Sequence, residues 1–204
     1  MPILYFVNMK KEKLLFISFL VIFTALFIFS FFSRYKYLID SLVATSIIIF
    51  LFSFYKELNL TKTIFSLIFV SLLLHNLGVF GFYNQSPLPF SYDRLTHFVG
   101  GLSLALFFIN FFNKNLKTKF FFLVLFAVAA SLGVGSIIEI SEYIGFLFVG
   151  EGEGFFYFGG TGDITLKGNL DGAWVNSSTD MIYNLLGSLA GLSIFLFYEK
   201  PKQF

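Results

Sequence analysis

Apolar residues run along this chain in six long blocks, separated by short polar or glycine- and proline-bearing segments. Each block approaches the roughly 20 residues that a helix needs to cross a bilayer. The blocks predict spans at about 14–32, 38–55, 61–82, 92–112, 120–149 and 180–198. The second is short. The fifth is long and carries Gly133, Gly135 and Gly145, which predict a tilt or kink. The first follows Lys10, Lys11 and Lys13 in the manner of a signal peptide, but its apolar run is too long and no small-residue cleavage site follows, so a retained span is expected. The pattern therefore predicts an all-α, polytopic membrane helix bundle of about six transmembrane helices, with residues 1–204 forming one domain.

Composition agrees with that class. The chain is 57% hydrophobic with 33 Phe and only 13% charged residues, and its mean hydropathy is +0.82. A water-soluble domain of this length carries more charge. There is no cysteine, which excludes disulfides and thiolate metal sites. No internal repeat, coiled-coil heptad, glycine-rich phosphate motif or nucleic-acid-binding patch is present.

Charge orders the blocks. Lys10, Lys11, Lys13, Lys56, Lys62, Lys114, Lys117, Lys119, Lys200 and Lys202 fall at the termini and in alternate connections, against Arg34, Lys36, Arg94 and Lys167 on the other side. The positive-inside rule then predicts both termini in the cytoplasm, in a plasma or inner membrane. Most acidic residues lie toward the opposite, outer side, which suggests a site that attracts cations.

With that topology, the ionisable residues within or beside the apolar blocks share one depth. At about 1.5 Å per residue, His75 lies ~10 Å from the outer end of the third span and His97 ~8 Å below the start of the fourth. Glu139 and Glu142 lie ~10–15 Å from the end of the fifth, and Asp180 opens the sixth with Asn184 one turn deeper. Helical spacing places Asp93 with His97, Asp180 with Asn184, and Glu139 with Glu142 on shared faces. Gly187 and Gly191 have the spacing of close helix packing. Ionisable residues in lipid face a bundle interior or a cavity and usually mark function. The segment 150–179 is the long connection above this layer. It is predicted as an irregular loop that acts as a lid or as a plain connector, with Asp163 and Asp171 able to reach the site and Trp174 at headgroup level.

The elements Tyr92-Asp93-Arg94-x-x-His97-Phe98, Glu139-x-x-Glu142 and Asp180-Met181-x-x-Asn184-x-x-Gly187-x-x-x-Gly191 occur in that order. They resemble the VanZ-like membrane proteins. The closer similarity is to the YjdF-like inner-membrane family, which adds a histidine where His75 stands and a glycine-rich, Asp-containing loop. The resemblance covers about 73–191 and none of the first two spans. VanZ-like proteins usually carry Gln where Glu142 stands. What the resemblance implies is a cell-envelope role, without a catalytic mechanism.

Three readings follow from the residues. In the first, His75, His97, Glu139 and Asp180 ligate a divalent metal, with Zn, Mn or Fe(II) suited to nitrogen and carboxylate donors. Glu139, Glu142, Asp93 and Arg94 would then serve catalysis on an envelope lipid or a lipid-linked substrate, with Asp163, Asp171, Trp174 and Asn184 binding it. In the second, the protein is non-catalytic and binds a lipid headgroup or peptide, while Arg94 and the histidines pair with the carboxylates in a structural network. In the third, it is an ion or proton transporter. The polar groups stop in the outer half of the spans and no inverted repeat is evident, which counts against the third.

Overall fold

The computed structural model describes residues 10–33, 38–148 and 170–198, and all regular structure within them is helical. The six helices are α1 (Lys10–Ser33), α2 (Leu38–Ser53), α3 (Lys62–Leu77), α4 (Tyr92–Asn115), α5 (Phe120–Phe148) and α6 (Leu170–Tyr198). Five apolar helices are long enough to cross a membrane, α3 counting together with the turn that extends it to Phe82. At 16 residues α2 is shorter. The protein is thus an all-α, multi-pass membrane bundle.

Local chemistry sets the helix ends. Asn59 adopts a positive φ of 53°, which asparagine tolerates, and so closes the turn after α2. The Thr61 hydroxyl then accepts a hydrogen bond from the Ile64 amide at 3.2 Å and caps α3. The α3–α4 connection holds Pro87 and Pro89, neither of which can donate a helical hydrogen bond. Beyond Leu77 the helix continues as a π-helical turn, Gly78–Phe82, in which Gly81 takes φ 139°. Such a backbone is open to glycine alone. Helix α5 runs unbroken past Gly133, Gly135 and Gly145.

A difference from expectation concerns the long connection. Residues 170–179, expected as loop, form the first ten residues of α6. That stretch holds one glycine and no proline, so nothing in it bars a helix. Residues 150–169 of the expected loop lie outside the described residues.

Two kinds of packing hold the bundle. Helices α1, α2 and α3 meet through aromatic rings. Phe16 stacks on Phe52 at 4.0 Å, Phe19 stacks on Phe69 at 3.6 Å, and Phe23 meets Phe69 edge-on at 5.3 Å. By contrast, α4 and α6 touch backbone to backbone. A Cβ on Gly187 would run into the Phe98 carbonyl, and one on Gly191 would lie 2.6 Å from the Leu102 carbonyl oxygen. Ser131 of α5 and Ser188 of α6 share a hydrogen bond of 2.9 Å beneath the Gly101 carbonyl. Without a hydrophobic drive between helices in lipid, such small-residue contact and buried hydroxyl pairing supply the association.

Basic residues collect at one end of the bundle. Lys62 pairs with Glu12 at 3.1 Å, and Lys114 donates to the Lys56 carbonyl at 2.9 Å. The side-chain amides of Asn59 and Asn110 bind each other's backbone carbonyls at this same end. The buried acidic side chains lie at the opposite end, near the start of α4.

Candidate metal centre

The first turn of α4 directs Asp93 and His97 inward on one face, as their four-residue spacing requires. Asp93 is 4% exposed, and its Oδ1 lies 3.2 Å from His97 Nε2. From α6, Asp180 enters the same space at 1% exposure. Asp93, His97 and Asp180 each offer one ligand atom, and these atoms all lie within 4.8 Å of one another. That span is compatible with a single divalent ion bound by nitrogen and carboxylate oxygen.

From α5, Glu139 reaches the other side of the imidazole. Its Oε1 stands 3.3 Å from His97 Nδ1, close enough for an ion pair but not aligned as a hydrogen bond, and among the described residues neither Glu139 oxygen makes a well-aligned hydrogen bond. Glu142, one helical turn further along α5, is also buried. Asp180 Oδ2 and Asn184 Nδ2 are buried and likewise without a hydrogen-bond partner among the described residues. The absence of a side chain at Gly135 leaves the space that the Asn184 amide fills. Four buried carboxyl groups therefore surround one imidazole. Among the described residues, Arg94 is the only Lys or Arg at this end of the bundle. It is exposed, with its guanidinium 5.7 Å from the centre of the Tyr183 ring. Close carboxylates in a dry interior need protons or a bound cation to coexist.

The structure divides the sequence-predicted residues. It brings together Asp93, His97, Glu139, Glu142, Asp180 and Asn184. Arg94 does not reach the carboxylates, because consecutive helical residues point about 100° apart and Asp93 takes the inward direction. His75 also stands elsewhere. Its Nε2 is 3.1 Å from Asp40 Oδ1 and its Nδ1 is 2.9 Å from the Tyr83 hydroxyl. Asp40 comes from α2, where sequence reasoning placed no part of the site, and it is 1% exposed. The signal for it was an acid in the first turn of an apolar helix, at the same end of the bundle as His75. Gly78 makes room for the Tyr83 ring, which in turn meets the Tyr92 ring at 6.1 Å beside Asp93. Two polar networks thus lie next to each other, joined by aromatic contact. Trp174 is 68% exposed on the first turns of α6. Asp171 lies in the first turn of α6, and Asp163 is outside the described residues.

Comparison with known proteins places the chain in one family. A family model described as "Predicted membrane protein (DUF2238)" matches residues 13–201. The protein belongs to this family. The match takes in all six helices, including the first two, which lay outside the similarity read from motifs. No curated protein and no solved structure matches the chain.

Proposed function

We propose that this protein binds a divalent transition metal at Asp93, His97 and Asp180 and uses it on an envelope lipid or lipid-linked substrate. The observation that carries the proposal is the ligand group itself. Three donors from two helices converge in a buried space whose neighbouring carboxylates have no Lys or Arg partner among the described residues. One imidazole with carboxylates suits Zn, Mn or Fe(II) better than Mg or Ca, which prefer oxygen alone. When bound, such a metal supplies a polarised, readily deprotonated water for hydrolysis or group transfer. Glu142 is a further buried carboxylate that would serve as proton acceptor. Arg94 stands exposed one residue from Asp93 and suits the phosphate of a headgroup. The resemblance to VanZ-like proteins supports an envelope setting.

The lysine-rich end of the bundle supports a cytoplasmic placement of both termini in the plasma or inner membrane, with the carboxylate end facing outward. Single cysteines introduced at Lys117 and Trp174 should label from opposite sides of the membrane, and Lys117 from the cytoplasmic side. Labelling of both from one side would refute the topology.

Metal analysis tests the site. Purified wild type should carry close to one equivalent of Zn, Mn or Fe after growth with that metal. His97→Ala and Asp180→Asn should lose it while still inserting. A well-folded wild type that takes up no divalent metal would sink the proposal. Headgroup binding at Arg94 would then be the favoured reading, with the carboxylates and His97 serving as structure.

A further inference from the structure

We infer that Glu139 is not a metal ligand but the positioning residue that fixes His97, so that the histidine presents Nε2 to the metal. The inference rests on the metal reading above and assigns the roles within that site. His97 is flanked on both ring nitrogens. Nε2 faces Asp93 at 3.2 Å, while Nδ1 faces Glu139 at 3.3 Å. The two nitrogen lone pairs of an imidazole diverge across the ring, so a carboxylate at Nδ1 cannot share a metal with Nε2. The ligand group reflects this. Asp93, His97 and Asp180 fall within one 4.8 Å set, and Glu139 falls outside it despite its contact with the same ring.

Glu139 is nonetheless built to be held. It is 2% exposed, and among the described residues its oxygens make no well-aligned hydrogen bond. Across the 3.3 Å approach, an Nδ1–H directed at Oε1 would complete a hydrogen bond to Glu139. That bond fixes the tautomer, leaving Nε2 unprotonated and directed at the metal, and it makes the ligand more basic. The arrangement also explains why α5 contributes to a site whose ligands come from α4 and α6. The third helix orients the ring, and the other two bind the metal.

Cobalt(II) is the probe, because its visible absorption reports the coordination sphere. Glu139→Gln should bind one Co(II) with the band positions of the wild type, at an affinity 10- to 100-fold weaker. Asp180→Asn removes a ligand and should shift or abolish the bands. On the wild type alone, pulsed EPR of the Cu(II) form should show the remote nitrogen of one bound imidazole, hydrogen-bonded. That measurement decides the matter if the Gln variant does not fold. A Co(II) spectrum altered by Glu139→Gln as strongly as by Asp180→Asn would make Glu139 a ligand and overturn the inference while leaving the metal site standing. Wild type that binds no Co(II) overturns both.

Discussion

The two halves of the bundle solve one problem in opposite ways. Helices α1 to α3 pack with large aromatic rings, and Phe23 and Phe65 are fully enclosed. Helices α4 and α6 pack with almost no side chain between them, at Gly101, Gly187 and Gly191. Rings fill space and tolerate some adjustment. Bare backbone contact tolerates none, but it holds the residues on either side of it in a fixed relation. The carboxylates and His97 lie above that rigid contact, with Asp93 on one helix and Asp180 on the other. Precision at the polar site is thus supplied by the glycine seam, and the aromatic half supplies bulk.

If this contrast is sound, the largest effect belongs to the seam. Gly187→Leu places a side chain where the Phe98 carbonyl stands, so α4 and α6 would have to move apart and lose their close contact. The cost should exceed the roughly 1–3 kcal/mol of ordinary overpacking. Size-exclusion chromatography in mild detergent should show no monodisperse protein. A folded Gly187→Leu variant would remove the seam from the argument.

Next in size is Phe23→Ala in the aromatic half. In a water-soluble core such a truncation costs roughly 3–5 kcal/mol. In lipid the transfer share of that figure falls away and lost packing remains, so the loss should be smaller. The thermal midpoint should drop while bound metal stays at the wild-type level. Loss of metal from Phe23→Ala would show that the halves are not separable.

The smallest effect should come from Tyr83→Phe. It deletes the hydroxyl that meets His75 Nδ1 at 2.9 Å and keeps the ring against Tyr92. A shift of roughly 0.5–1.5 kcal/mol is expected for one hydrogen bond. Metal content should be unchanged, since His75 is not in the ligand group. Metal lost along with that hydroxyl would join the two polar networks into one site.

These outcomes also bear on what the amino-acid pattern could convey. The helices were readable because blocks of about 20 apolar residues have little alternative in lipid. The pairing of Asp93 with His97 was readable from a four-residue spacing, as was the shared face of Asp180 and Asn184. The outward turn of Arg94 is consistent with the same helical arithmetic, since it points about 100° away from the inward-facing Asp93. The partnership of His75 with Asp40 was not readable, because it joins two helices whose register no local spacing sets. The early start of α6 was hidden by Gly172 and its polar neighbours, which count toward a turn. The π-helical turn left a trace in the paired Gly78 and Gly81, but its geometry depends on the Tyr83 ring it accommodates.

The unequal lengths of α4, α5 and α6 shape access to the carboxylate and imidazole cluster. Asp93 is the second residue of α4, so that helix ends almost level with the cluster. In contrast, α5 continues for nine residues past Glu139, and α6 begins ten residues before Asp180. At 1.5 Å per residue both rise ~14–15 Å above the level at which α4 stops. Among the described residues, the cluster therefore lies at the foot of a two-helix wall formed by α5 and α6. On the other side stand the first turn of α4 and the proline-bearing segment that leads into it. A headgroup drifting in the plane of the membrane would meet a low sill there, with Arg94 and Tyr183 at its margin. A substrate too large to pass between helices would still have an approach from that side.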